Sequence, residues 1–97
     1  MSTYILLANY TQQGIENIKA GPDRLNSAKE AIKAMGAEIK GFYLTLGRYD
    51  LVALVEAPDD ETIARLALAL GSGGSIRTET VRAFPEAEYR QIIAALP

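Results

Sequence analysis

Two segments of the chain carry apolar side chains on both of the faces that a β-strand presents. Residues 3–10 and 49–56 are rich in aliphatic and aromatic residues, which favour strands. Successive side chains of a strand point to opposite faces, so Leu6 lies on one face of the first segment and Ile5 and Leu7 on the other. Antiparallel sheets with a solvated face normally alternate to polar residues there. We therefore expect the second face of these strands to be covered.

A helical periodicity separates the first strand from the next apolar segment. Apolar residues recur at spacings of three, four and seven from Ile15 to Met35, which predicts one long helical region. Gly21 and Pro22 interrupt this region. Because proline lacks an N–H and suits the first turn of a helix, we expect a break and a restart there. Gly36 then supplies a left-handed helix end.

A hairpin is predicted in the middle of the chain. Residues 38–46 and 49–56 flank Gly47-Arg48, a Gly-X pair of the kind that closes a two-residue hairpin through a type II′ turn. Strands two and three are therefore expected to be antiparallel neighbours.

The second half of the chain repeats the helix–strand order. The acidic run 59–61 follows Pro58 and places carboxylates at the positive end of a helix that glycines at 71, 73 and 74 terminate. Residues 75–84 form the predicted fourth strand. Pro85 then begins a short amphipathic helix. Its apolar residues are Tyr89, Ile92, Ile93 and Leu96.

The resulting order, β-α-β-β-α-β with a C-terminal helix, predicts an α+β, ferredoxin-like fold for residues 1–97 as a single domain. Right-handed crossovers give a four-stranded antiparallel sheet with strands one and three in the middle and helices on one face. Two covers are then open for the other face. A second copy of the chain is the first, and the C-terminal helix folding back is the second.

Composition narrows the function. Twelve acidic and ten basic residues give a net charge of -2 without a basic stripe, which argues against nucleic acid as a partner. The chain has no cysteine and no histidine, so a thiol nucleophile and the commonest proton shuttle and metal ligand are missing. We expect no metal and no cofactor. The apolar N-terminal segment is too short to span a bilayer, so we expect a cytoplasmic protein with no membrane partner.

Polar residues after the first strand form one candidate ligand site. Thr11, Gln13, Asn17 and Arg24 gather hydroxyl, amide and guanidinium groups where a helix begins, and such a position suits a carboxylate or another anion. Capping alone explains Thr11. Exposed polar residues on a helix also need no ligand to explain them.

A second group of candidates lies near the hairpin and on the last strand. Asp50 is a candidate general base, although a carboxylate beside a turn commonly accepts backbone N–H groups instead. Tyr49 either packs in the hairpin or lines a ligand cavity. Arg82 either clamps a carboxylate or protects an edge strand by its charge.

Residues 46–52 carry a Gly-x-Tyr-Asp signature, and the chain resembles the GYD-domain family of small bacterial proteins. The resemblance implies a ferredoxin-like fold akin to the dimeric α/β barrels and brings no established activity. Proteins related at the level of fold include the ligand-binding domain of the Lrp/AsnC transcription regulators, which binds amino acids between subunits, and barrel enzymes of the oxygenase and isomerase type. Besides this signature, the segments that carry the resemblance are 10–15, Asn17, Pro22, Arg24, 41–43, 56–60 and 77–84.

Three functions follow as hypotheses. The first is a non-catalytic homo-oligomeric module that binds a small carboxylate or amino-acid-like compound at a cavity by the sheet or between subunits. The second is a metal-free enzyme of the dimeric α/β barrel kind that uses Asp50 or a tyrosine as its acid–base group. The third is a structural domain that only self-associates.

Overall fold

The computed structural model describes residues 1–97 and has the predicted ferredoxin-like element order with a C-terminal helix. Its strands are β1 (Ser2–Tyr10), β2 (Glu38–Leu44), β3 (Leu51–Ala57) and β4 (Ile76–Ala83). Its helices are α1 (Gln12–Glu16), α2 (Gly21–Ala34), α3 (Asp60–Ser72) and α4 (Glu86–Ala94), with a 3-10 turn at Ile18–Ala20 between the first two.

The four strands form one antiparallel sheet in the order β2-β3-β1-β4. The prediction that the first and third strands are central is therefore confirmed. β1 pairs with β3 from Ser2–Ala57 to Ala8–Leu51. Directly paired residues lie on the same face of the sheet, so Tyr4 shares one face with Val55 and Ile5 shares the other with Leu54. The pairing of β2 with β3 shifts between Ile39 and Gly41, and Lys40 forms a bulge in this edge strand.

The core lies between the sheet and the helices on one of its faces. Tyr4 and Val55 of the central strands pack with Ile32 of α2 and with Ile63 and Leu66 of α3. Only 12 of the 97 residues are buried in the single chain. A small domain has little interior, and this one leaves much of its apolar surface accessible.

The first helical region breaks and restarts as predicted. α2 begins at Gly21 with Pro22 in its first turn and ends at Ala34, and Gly36 shortly after it has the left-handed φ of 84°. Gly14 in α1 is required by a close approach. A Cβ atom there would lie 2.1 Å from the backbone oxygen of Ser75, so only glycine lets α1 pack against the turn before β4.

The hairpin has the predicted centre but shorter strands. The pairing of Leu44 with Leu51 is centred on Gly47-Arg48, and Gly47 has a φ of 115°. The backbone N–H of Asp50 donates to the Ala8 oxygen of β1 at 2.9 Å, while the Asp50 backbone oxygen accepts the N–H of Thr45 across the hairpin at 2.8 Å. The strands end at Leu44 and Leu51, so the predicted extension of the two strands to residues 46 and 49 is wrong, and residues 45–50 form the connection in place of the predicted two-residue turn.

The C-terminal helix does not cover the sheet. α4 has no buried residue, and the molecule is elongated, with principal dimensions of 52 × 31 × 18 Å. Tyr43 and Val81, on the sheet face away from α2 and α3, remain 56% and 42% exposed. The alternative in which the tail helix folds back over that face is therefore not the arrangement of the single chain.

Candidate functional site

The sheet face that the helices leave uncovered is apolar at its centre. The strand registers place Ile5 and Leu7 of β1 beside Leu54 and Val52 of β3, while Val81 of β4 lies next to Ile5. On β2, Tyr43 pairs with Val52. We call this surface the open face, and it consists of Ile5, Leu7, Tyr43, Val52, Leu54 and Val81.

Charged groups lie around the edge of the open face. The Lys40 ammonium is 3.2 Å from the Glu38 carboxylate and 3.6 Å from that of Glu56. The hydrogen bond from Glu38 is the largest cause of a raised pKa for Lys40, so Lys40 stays charged. An apolar centre with a polar rim is the usual composition of a protein interface.

Tyr49 and Asp50 are both held by contacts within the chain. The Asp50 carboxylate accepts the backbone N–H of Tyr10 at 3.0 Å, which ties the hairpin to the end of β1. The Tyr49 hydroxyl donates to Glu79 of β4 at 2.5 Å, and this hydrogen bond raises the pKa of the phenol. The two side chains thus brace the end of the sheet, and neither lines the cavity described next.

A cavity of about 420 Å³ lies between the helix-covered face of the sheet and the helices α2 and α3. α2 packs on β2, and α3 packs on β3 and β4, without a close interface between the two helices. Several of the side chains that face this gap are small, which leaves the space open. They are Ala8, Ala28, Ala31, Ala53 and Ala69.

Arg24 is the charged residue in the lining of this cavity. Its Nη1 donates to the backbone oxygen of Asn17 at 2.8 Å, while its Nη2 is buried and has no hydrogen-bond partner in the protein. The Asn17 side chain in turn donates to the backbone oxygen of Gln13 at 3.0 Å. Asn17 therefore positions Arg24, and the guanidinium keeps one free donor beside the cavity.

The remaining polar residues of the loop after β1 join two parts of the backbone. The Thr11 hydroxyl donates to the Gly74 oxygen at 2.5 Å and accepts the N–H of Gly14 at 3.2 Å. The Gln13 side chain donates to the Gly73 oxygen at 3.5 Å. Thr11 and Gln13 thus fasten α1 to the glycine-rich turn before β4.

Arg82 lies at the opposite end of the helix-covered face. Its guanidinium lies 4.4 Å from the ring centre of Phe84 and 5.5 Å from that of Tyr4, and it donates to the backbone oxygens of Thr3 and Ala83. The Tyr4 hydroxyl donates to Asp60 at 2.5 Å. Arg82 lies beside Tyr4, whereas Arg24 lines the cavity, so the two arginines belong to separate groups of polar residues.

Several residues that line the cavity did not stand out in the sequence. Ser27 and Ser75 contribute hydroxyl groups, and Ala28 and Ala53 contribute small side chains to its walls. The one available signal was the run of alanines at helix positions that face the core, where larger aliphatic residues are usual.

None of the helices combines the length and the apolar composition needed to cross a lipid bilayer.

The fold and these surfaces define a class: an α+β, ferredoxin-like protein with an apolar open face and an apolar cavity that contains one arginine. A family model described as the GYD domain matches residues 4–93. The chain belongs to the GYD-domain family. It is also similar to a protein of Thermus thermophilus named "Glutamine synthetase and cystathionine beta-lyase binding protein", with 37% identity over 89 residues that cover 91% of this chain and 94% of the relative.

Proposed function

We propose that the chain is a non-catalytic, homo-oligomeric binding module that self-associates through its open face and binds a small molecule. The open face carries this proposal. Contiguous apolar surface at the centre of an exposed sheet is uncommon in monomers and marks an interaction site. Because the face is built from two central strands and both neighbours, a second copy related by a two-fold axis covers it with the same residues from each side.

The edge of the open face supports the same proposal. Lys40 and Glu38 are exposed and Glu56 is half-buried, so this ion-paired group keeps contact with water when the centre is buried. Tyr49 and Glu79 form a neutral-to-charged hydrogen bond at the other end. Glu79 lies beside Leu7 on this face, and its carboxylate accepts the hydrogen bond of the Tyr49 hydroxyl, which lowers the cost of covering it.

The small-molecule part of the proposal is supported by the cavity. Its volume of about 420 Å³ falls in the range of about 300–1,000 Å³ that small-molecule sites occupy. Fifteen of its 21 lining residues are hydrophobic, and the polar ones are few. A ligand that binds only the folded chain raises the melting temperature by mass action, so thermal-shift screening against metabolites tests this part. The absence of any hit would contradict it.

Variants on the open face test self-association. Tyr43→Glu and Val81→Glu place a carboxylate at exposed positions, so the single chain still folds while a two-fold interface receives two facing negative charges. We expect both variants to be monomers by light scattering when the parent chain is not. Leu68→Glu is the matched control, because Leu68 is 75% exposed on α3, away from the open face. An unchanged oligomer in both variants would overturn the proposed interface.

A protein partner is the second candidate, and the name of the relative favours it. α4 presents Tyr89, Ile92 and Ile93 to solvent, and the exposed Leu96 follows the end of the helix. Such a helix suits a hydrophobic groove on another protein. We propose glutamine synthetase and cystathionine beta-lyase as the partners to test, by surface plasmon resonance with the purified enzymes. Loss of binding in Ile92→Glu but not in Gln91→Glu would support a role for α4, and equal binding of both would contradict it.

The cellular location is also part of this proposal. A chain without cysteine fits a reducing compartment, and we place the module in the cytoplasm as part of this proposal.

A further inference from the structure

The cavity beneath α2 and α3 has a single charged residue in its lining. Arg24 is that residue, and no Asp or Glu side chain lines the space. An arginine remains protonated at all physiological pH values, so the cavity carries a permanent positive charge. The charge therefore selects for an anion among ligands that fit the apolar walls.

Of the two terminal nitrogens of the Arg24 guanidinium, the protein provides a hydrogen-bond partner for one. Asn17 accepts from Nη1, and this contact fixes the orientation of the planar group. Nη2 is buried and has no partner in the chain. A buried donor on a charged group costs free energy unless it is hydrogen-bonded, and a carboxylate is the acceptor that arginine engages best.

The rest of the cavity lining determines which chemical groups the uncharged part of the ligand carries. Apolar residues of the central strands and α2 form the walls, while the hydroxyl groups of Ser27, Ser75 and Thr78 are the few further polar contacts. A ligand that is polar throughout would lose hydration against such walls without regaining hydrogen bonds. The body of the ligand is therefore aliphatic or aromatic.

The volume limits the size of that body. An apolar cavity of about 150 Å³ accommodates benzene, and this cavity is about 420 Å³. A compound with the bulk of two such rings or a medium-length alkyl chain fits. Larger compounds would have to extend out between α2 and α3, where Ser27, Ala31 and Ala69 are exposed.

From these observations we propose that the cavity binds a small monocarboxylate with an apolar body, and that Arg24 forms the ion pair with its carboxylate. This inference rests on the proposed small-molecule binding and adds the chemical class of the ligand and the residue that recognises it. Arg24 acts in binding alone, and no reaction is involved.

Matched pairs of acids and amides test the class of ligand. Octanoate and 3-phenylpropionate are titrated into the full chain by isothermal calorimetry, beside octanamide and 3-phenylpropanamide, which have the same shape without the charge. We expect the acids to bind about ten- to a hundredfold more tightly than the amides, as for a hydrogen bond to a charged group. Equal affinities would overturn the role of Arg24 and would leave the cavity as a small-molecule site.

Two pairs of variants test the position of the site. Arg24→Gln should reduce the affinity for the acids to that for the amides, while Lys29→Gln on the exposed side of α2 should leave it unchanged. Ala28→Leu narrows the cavity and leaves Arg24 in place, so it should weaken binding of all four compounds. Ala34→Leu, outside the lining, is its control.

The outcomes separate this inference from self-association. Binding of the acids that neither Arg24→Gln nor Ala28→Leu reduces would place the ligand elsewhere and overturn the inference. No binding by any of the four compounds would also overturn it. Light scattering on Tyr43→Glu and Val81→Glu decides the open-face interface independently of both results.

Discussion

The carboxylate of Asp50 accepts the backbone N–H of Tyr10 at 3.0 Å, and this hydrogen bond joins the hairpin to the end of the central strand β1. The backbone N–H of Asp50 in turn donates to β1, to the backbone oxygen of Ala8 at 2.9 Å and to the side-chain oxygen of Asn9 at 3.1 Å. Asp50 is thus held from both its backbone and its side chain. This arrangement makes a structural role for the Tyr-Asp pair of the hairpin testable.

Removing the Asp50 acceptor should destabilise the fold. We expect Asp50→Ala to lower the free energy of unfolding by about 1–2 kcal/mol, because the part-buried N–H of Tyr10 loses its partner. Asp50→Asn keeps an oxygen that accepts this N–H, so its loss should be smaller. Urea denaturation measures both, with Glu30→Ala as an exposed carboxylate control. Equal stability of Asp50→Ala and the parent chain would contradict a bracing role.

The close approach at Gly14 gives a second prediction. An added Cβ atom would meet the backbone oxygen of Ser75 at 2.1 Å, and backbone atoms cannot rotate away. We expect Gly14→Ala to cost about 1–3 kcal/mol, as for overpacking elsewhere. Gly21→Ala is the matched control, since its nearest neighbour would lie 3.9 Å away. Similar melting temperatures of the two variants would disprove the tight contact between α1 and the turn before β4.

Tyr4 should make stability fall at alkaline pH. Burial raises the pKa of its phenol above 10.0, and the hydrogen bond to Asp60 raises it further. A raised pKa in the folded state means that the protonated phenol stabilises the fold below pH 10.0, and that this contribution is lost as the pH rises through the folded pKa.

Tyr4→Phe isolates that contribution. The variant keeps the ring in the core and loses the hydrogen bond, which should cost about 1 kcal/mol at pH 7. Because phenylalanine does not titrate, its stability should decline less steeply above pH 10.0 than that of the parent chain. Chemical denaturation between pH 7 and 11 gives the comparison, and Tyr89→Phe on exposed α4 controls for loss of a phenol. Parallel pH profiles for Tyr4→Phe and the parent chain would refute the linkage.

Asp59 should make stability fall at acidic pH, the reverse of the effect expected for Tyr4. Its carboxylate caps α3 by accepting from the hydroxyl and the backbone N–H of Thr62, and these contacts hold its pKa below 3.8. The stability it provides is therefore present above pH 3.8 and is lost as the pH falls through the lowered pKa. Asp59→Ala should reduce stability at pH 7 and weaken its acid dependence, whereas Asp59→Asn should retain much of the cap. Acid titration followed by circular dichroism tests this order.

The sequence predicted the sheet well and the cavity poorly, for a physical reason. The two-faced apolar pattern of Leu6 and Leu7 depends only on the alternation of a strand, which is local. The longer hairpin connection includes contacts of Asp50 with Ala8 and Tyr10, which belong to another strand and lie far away in the sequence. The cavity depends on the spacing between α2 and α3, which tertiary packing sets. Arg24 was selected from the composition of its loop, while its unpaired Nη2 is visible only in the folded chain.

Self-association through the open face is the central claim, and sedimentation equilibrium of the parent chain tests it most directly. We predict a mass of at least twice that of one chain at micromolar concentration, because exposed Tyr43 and Val81 and their apolar neighbours become buried by a second copy. The oligomer should dissociate in Val81→Glu. A parent chain that sediments as a monodisperse monomer throughout the micromolar range would contradict the account.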